Sequence, residues 1–287
     1  MALTISVVIP THDRPEKTLR AVRSVLAQRY RPFEVIVVDD ASDTPVDIPA
    51  DLPGSELVRT VRLAANLGAA GARQAGIDLA SGDYIAFLDS DDEWTPQKLE
   101  AQVDAIERQP ASRLTVMSCG WTVVDEFGSE LKTRMPRPAE GLGDFCSGCW
   151  HAPGSTALIP RALLLEVGGI DTGLRRLEDL DLFIKLALAG ARLEVAPVLG
   201  ARIERGRNAN VRAVAPAVKA LRDRYLSASS PLDRREQRRL KAWLHVEMSA
   251  SSYFDRRWLA AVTHLIQSGL TVPRTHLQLQ EWWTETS

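Results

Sequence analysis

The sequence predicts an α/β fold: a doubly wound, mostly parallel sheet flanked by helices, followed by a C-terminal helical extension. Three observations support this. Short β-branched runs alternate with stretches of helical periodicity from the first residues onward. The runs are apolar throughout, as strands covered on both faces must be. From about residue 213 the chain reads as helix alone. Residues 1–210 are therefore assigned to one α/β domain and residues 211–287 to the extension.

Each element has its own justification. "TISVVIP" (4–10) is a strand closed by Pro10, and residues 15–28 carry Leu19, Val22, Val25 and Leu26 at helical spacing. "FEVIVVDD" (33–40) and "ELVRTVRL" (56–63) read as further strands. "GAAGARQAGIDLA" (68–80) is a helix of small residues, and "DYIAFLD" supplies a fourth strand. A helix is expected at about 96–108 and a strand at 114–124. Residues 126–156, rich in glycine and proline, read as a long loop, which in a compact domain points to function or mobility. "RALLLEVGG" is a helix with a glycine stop, "LEDLDLFIKLALAGA" an amphipathic helix opened by acids, and "RLEVAPV" a returning strand.

Composition excludes several classes. With 25% charged and 45% hydrophobic residues the chain is neither disordered nor membrane-spanning in character. A formal charge of -2 gives no field that would attract nucleic acid, so no such partner is expected. The segment Met-Ala-Leu-Thr runs straight into a strand without a leader-like pattern, and a cytoplasmic location is expected. Three cysteines, with Cys146 and Cys149 forming a lone CxxC, complete neither a disulfide framework nor a zinc site.

In doubly wound sheets, ligands bind beyond the carboxyl ends of the strands. The loops there read "THDR" (11–14), "DDASD" (39–43) and "DSDDEW" (89–94), so three polar or acidic loops converge on one edge. Asp89 and Asp91 would repel one another unless a cation stands by them, and oxygen-only ligands select Mg²⁺ or Mn²⁺. The competing reading is a solvated turn capping the next helix. No glycine at the sixth position or glutamate at the twelfth supports an EF-hand. Asp39 and Asp40 suit a nucleobase or ribose, or a structural cap. Arg73, among the small residues that begin at Gly68, suits a phosphate or an exposed helix surface. That segment is not GxGxxG and follows the third strand, which argues against a dehydrogenase. Glu178, Asp179 and Asp181 open a helix, where acids are favoured by the dipole, yet Asp179 also has what a general base needs.

Residues 4 to about 210 resemble the family 2 inverting glycosyltransferases of GT-A fold, a Rossmann-like architecture. The matching segments are "ISVVIPTHDRPEKTLRAVRSVLAQ", "FEVIVVDDASD", "NLGAAGARQAGIDLASGDYIAFLDSDDEW" and "LEVGGIDTGLRRLEDLDLFIKLALAG". The resemblance implies that Pro10, Thr11, His12 and Arg14 contact the nucleotide. It places Asp39 or Asp40 at the base, with Gly68 and Arg73 on the phosphate or base side. Asp89-Ser90-Asp91 becomes the DxD motif, with Asp91 the main ligand of a divalent metal and Asp89 nearer the ribose or a metal-bound water. Asp179, paired with Glu178, becomes the catalytic base. The implied partners are a nucleotide-sugar donor, most commonly a UDP-sugar, and a saccharide or lipid-linked acceptor in surface polysaccharide assembly.

One departure is visible. Many relatives carry a histidine after the strand that follows the base helix, whereas "ARIERGRNANV" has none, leaving Arg205 or Arg207 for the diphosphate. His151 could serve an acceptor, although a lone histidine is more often structural or exposed. Basic residues 234, 235, 238, 239 and 241 beside Trp243 and Leu244 suit an anionic membrane face, a solvated helix or a contact between copies. The competing functions are a silent nucleotide-sugar-binding module and a nucleotidyltransferase.

Overall fold

The computed structural model describes residues 2–108, 114–148, 154–205, 210–273 and 283–284. Strand β1 (Ile5–Thr11), helix α1 (Pro15–Leu26), strand β2 (Glu34–Asp39), strand β3 (Val58–Arg62), helix α2 (Gly68–Leu79) and strand β4 (Tyr84–Phe87) follow the predicted order. Then come β5 (Glu93–Trp94), α3 (Lys98–Glu107), β6 (Thr115–Val124), β7 (Glu130–Pro136), α4 (Leu142–Phe145), β8 (Leu158–Pro160), α5 (Arg161–Glu166), α6 (Glu178–Leu188) and β9 (Arg192–Glu204). Helices α7 (Val211–Tyr225), α8 (Arg234–Phe254) and α9 (Trp258–Thr271) complete the extension, with a short strand β10 (Trp283–Thr284).

The strand order is β10-β7-β6-β8-β4-β1-β2-β3, with β9 paired to β6 and β5. Pairing from β3 through β2 and β1 to β4 is parallel, so these carboxyl ends share one edge. Beyond β4, pairing with β8 is antiparallel, as are β8 with β6 and β6 with β7. The β6–β7 link turns at Asp125, whose carboxylate accepts from the amides of Phe127 and Ser129. So short a turn cannot carry a crossover, and the pair must be antiparallel. The part of the expected long loop at 126–148 thus contains a strand and a short helix.

Two cores cover the two faces of the sheet. Val8 lies in one with Ile36, Ile85 and residues of α2 and α6, while Ile5, Val7 and Ile9 lie in the other with α1 and α3. That split along β1 is the period-two alternation of a strand buried on both sides. Pro10 is tolerated because β1 pairs with β4 only as far as Val8, so its missing amide faces a place where β4 has ended. Helix α2 approaches β1 closely: a Cβ on Gly76 would stand 2.2 Å from Val8 Cγ1.

Two expectations are corrected here. The strand read as "RLEVAPV" continues to Glu204 because Pro197 and Val198 are accommodated in a register shift, with Cys119 opposite Ala196 and Gly120 opposite Leu199. The bulge removes the unpaired proline from the ladder and lets pairing resume. The chain after 213 is not wholly helical either, since β10 pairs antiparallel with β7.

The extension is anchored to the α/β part. Leu180 and Ile184 of α6 share a core with Val214 and Leu221 of α7 and with Leu240, Trp243 and Leu244 of α8. Asp181, wholly buried, accepts from Arg224 Nη1 at 2.5 Å and Tyr225 Oη at 2.8 Å. Trp243 and Leu244 are therefore core residues, and the lipid-facing reading of α8 loses its apolar half. Exposed apolar surface sits instead on α9, where Trp258, Leu259, Val262, Ile266 and Leu270 face outward. Among the described residues no helix is long and apolar enough to cross a membrane.

Candidate active site

The loops after β1 and β2 meet at the shared edge. Thr11 is buried, its hydroxyl 2.6 Å from that of Thr18. His12 lies 3.3 Å from Asp13. Asp13 (φ 51°) and Ala41 (φ 57°) both hold left-handed backbone, a strain that non-glycine residues adopt only where surroundings enforce it. The two adjacent aspartates differ. Asp40 accepts from the amides of Leu67 (2.7 Å) and Gly68 (2.8 Å), so it pins the turn that leads into α2. Asp39 spends Oδ1 on the Ser42 amide, while its buried Oδ2 has no partner among the described residues. Of the pair, Asp39 has an oxygen to offer a ligand.

The turn after β4 sorts its acids. Asp92 faces inward, where Oδ1 accepts from the Glu204 amide (2.9 Å) and Oδ2 from Ser155 Oγ (2.5 Å). Burial, then the charge of Asp89, pushes its pKa well above the ordinary carboxylate range. Asp92 fastens the turn to β9, and the solvated-turn reading fails for it. Ser90 is buried between the two remaining acids. Asp89 Oδ1 lies 2.5 Å from Arg73 Nη2, and Asp91 Oδ2 lies 2.6 Å from Arg14 Nη1.

Arg73 joins β4 to α6. Its second amino group donates to Glu178 Oε1 at 2.9 Å. Burial alone would lower its pKa, but Asp89 and Glu178 outweigh that and raise it, so the guanidinium stays charged. Its Nε is buried with no partner among the described residues. Leu177, again left-handed (φ 59°), sets the start of α6. Asp179 accepts from the Leu180 amide at 2.8 Å, and its pKa is pushed up to about 6 by burial and by the neighbouring Glu178 charge.

Arg73, Asp89, Glu178 and Asp179 line one cavity of about 350 Å³ with Arg176. Phe87, Ile159 and Phe183 are among its apolar lining. Glu247 of α8 lines it too. Nothing in the sequence around "HVEMSA" marks that residue, because only the docking of α8 on α6 brings it here.

Asp89, which lines the cavity, and Asp91, two residues on and paired with Arg14, offer hard oxygens, the donor type that Mg²⁺ or Mn²⁺ takes with one or two carboxylates and substrate phosphates. Among the described residues no group of three or more potential ligands gathers. Two protein carboxylates, with Arg14 half exposed and able to leave Asp91, fit such an ion. Pro10 is buried within β1, and the partner of His12 is Asp13 of its own loop. Arg205 is exposed, its amide bonded to the Val124 carbonyl. Cys149, His151, Arg207 and Trp282 lie outside the described residues.

Residues 6–168, which carry these loops from β1 through α5, match the model of glycosyl transferase family 2. The chain belongs to that family. Within family 2, the amylovoran biosynthesis glycosyltransferase AmsB of Erwinia amylovora is 34% identical over 195 residues, 64% of each chain. The TuaG glycosyltransferase of Bacillus subtilis, named for teichuronic acid biosynthesis, is 38% identical over 130 residues, 44% of this chain and 50% of its own. The match thus spans a little under two thirds of the first relative's length. Staphylococcus aureus TarS 1-349 in complex with UDP-GlcNAc superposes with a TM-score of 0.65 at 18% identity, over 98% of this chain and 84% of that one. Its complex with UDP gives 0.64 at 19% identity, over 98% and 83%. At such identity the likeness bears on the fold, which is the GT-A architecture the sequence implied.

Proposed function

We propose that this protein is an inverting glycosyltransferase that moves a sugar from a nucleotide-sugar donor to a hydroxyl of a saccharide or lipid-linked acceptor. The observation that carries this is the joining of Asp89 and Glu178 by Arg73 beside Asp179 in one cavity. Two desolvated atoms without partners among the described residues, Asp39 Oδ2 and Arg73 Nε, support a ligand that spans from the base end of the edge to the phosphate end. The UDP and UDP-GlcNAc in the TarS complexes support a UDP-sugar as donor, and the names of the amylovoran and teichuronic acid enzymes support polysaccharide assembly.

Asp39 would accept from the base, and Arg73 would turn one face to the diphosphate. Asp179, ionised above pH 6, would take the proton of the acceptor hydroxyl as that oxygen attacks the anomeric carbon from the side opposite the nucleotide. The bond from the anomeric carbon to the phosphate oxygen breaks, UDP leaves with its electron pair, and the anomeric configuration inverts. A divalent cation held by Asp91 and Asp89 would supply Lewis-acid stabilisation of the departing diphosphate. The domain division at residue 210 and a cytoplasmic site of action belong to this reading. So does association with a membrane face or a second copy through α9, whose segment "WLAAVTHLIQSGLT" carries no charge.

The deciding experiment incubates the protein with UDP-, GDP- and dTDP-sugars, with Mn²⁺ or with EDTA, and follows the released nucleotide. We expect UDP release that EDTA, Asp91→Ala and Asp179→Asn each suppress, with NMR showing the opposite anomer in the product. Release of pyrophosphate from a nucleoside triphosphate would instead identify a nucleotidyltransferase. Binding without release would identify a silent module.

A further inference from the structure

Glu247 has no part in the reaction as described, yet it lines the same cavity as Asp179. It is not a loose surface acid. Its helix is locked to the α/β part: a Cβ on Gly148 (φ 122°) would stand 2.4 Å from the Trp243 indole, so α8 seats against bare backbone there. Trp243 stands one helical turn before Glu247 on α8, so the seating of the indole also places Glu247. Burial and the Asp179 charge push Glu247 up to about 7, so near neutrality it both accepts and donates.

Strand order says which side of the reaction it faces. Across the edge run the end of β2 with Asp39, the end of β1 with Thr11, then the end of β4 with Asp89 and its partner Arg73. Glu178, joined through Arg73, and Asp179 lie next, and α8, packed against α6, brings Glu247 within reach of the Asp179 charge. A donor with its base at Asp39 and its diphosphate at Arg73 brings its sugar to Asp179. What lies past Asp179 meets the acceptor.

Resting on the transferase reading, we propose that Glu247 is a specificity-determining residue of the acceptor subsite. Its carboxyl hydrogen-bonds a hydroxyl or ammonium group of the acceptor saccharide next to the hydroxyl that Asp179 deprotonates. It thereby selects neutral or amino-bearing saccharides against uronates. The charge balance of the cavity points the same way. Four acids, Asp89, Glu178, Asp179 and Glu247, face two arginines, of which Arg73 is committed to Asp89 and Glu178 while Arg176 acts on Glu247. An acceptor carboxylate would meet the charge of Asp179, and that of Glu247 as it ionises.

The test uses octyl glycosides of glucose, galactose, N-acetylglucosamine, glucosamine and glucuronic acid as acceptors, with the donor that gives the fastest UDP release. Wild type is expected to glycosylate at least one neutral or amino glycoside and to leave the glucuronide untouched. Glu247→Gln and Glu247→Ala should raise the acceptor KM about tenfold or more, while calorimetric UDP affinity stays within about twofold. The isosteric Gln variant guards against a folding defect in Ala, and its thermal unfolding is recorded alongside. Acceptor KM values unchanged in both variants, UDP affinity falling in step with them, preference for the glucuronide, or turnover of no glycoside would each overturn the assignment. No UDP release from any donor, hydrolysis by water included, would overturn the transferase reading and this proposal with it.

Discussion

Arg14 Nη1 lies 2.6 Å from Asp91 Oδ2, an ion pair between the loop after β1 and the turn after β4. Arg14 is half exposed, so the pair is held weakly, by about 1 kcal/mol or less. On the proposed reading this arginine occupies the oxygen that a cation would use. Arg14→Ala should then bind Mn²⁺ more tightly without nucleotide, by about two- to fivefold, since the competing charge is gone. Calorimetry checks this, and weaker binding in the variant would refute it.

Asp179→Asn removes the proposed base while keeping its shape. The expected loss in kcat is about 10²- to 10⁴-fold, the usual contribution of a positioned base. UDP affinity measured with Mn²⁺ should hold to within about twofold. A variant that keeps its turnover would show that another group takes the proton.

The pKa of Asp179 sets the acid limb of the pH profile. Catalysis needs the carboxylate, so kcat/KM should rise with pH through about 6 and then level. Glu178→Gln should move that limb downward, because the Glu178 charge raises the pKa and its loss frees Arg73 to lower it. The sign for folding is opposite. A carboxyl whose folded pKa lies above its unfolded value of 3.8 contributes stability as pH falls from about 6 towards 3.8. A pH–rate series for both proteins tests the limb.

Asp181 ties α6 to α7 and should matter for stability more than for chemistry. Asp181→Ala leaves the buried Tyr225 hydroxyl without its acceptor, whereas Arg224, 40% exposed, keeps Asp171, a loss of about 1–3 kcal/mol. Urea denaturation should show a lowered midpoint, and Asp181→Asn a smaller drop. No change would mean that apolar packing alone docks the extension.

Lys98 is wholly buried, its ammonium 2.9 Å from Gln102 Oε1 and 3.8 Å from the Trp94 ring centre. Burial lowers its pKa from 10.5 to about 8. A base depressed in this way destabilises the fold while it is protonated, and the penalty is relieved as pH rises from about 8 to 10.5. The shift corresponds to about 3 kcal/mol at most. Unfolding free energies measured across that window should rise, and in Lys98→Met the rise should be missing.

Much of the fold was legible because the signals are local. The β-branched runs of β1, β2 and β4 and the helical spacing of α1 depend on neighbours within one turn or one strand, so period and composition report them. The end of β9 was not legible for the same reason: the strand read to Val198, and only pairing with β6 shows the bulge after which it continues. The basic helix around Trp243 and Leu244 left a membrane face, a solvated surface and a contact between copies all open, whereas their burial comes from α6 and α7.

The candidate site divides along the same line. The sequence by itself determined that acids gather after β2 and β4 and at the start of α6, because strand ends and helix starts are written in nearby residues. Only the tertiary structure decided what each acid does. Asp40 and Asp92 are spent on backbone and hydroxyl groups, Asp39 keeps an oxygen that no described residue engages, and Arg73 joins acids 16 and 105 residues away. Glu247 was invisible until α8 docked. Desolvation and ion pairing depend on groups that meet in space, and the distance between them along the chain carries no trace of that meeting.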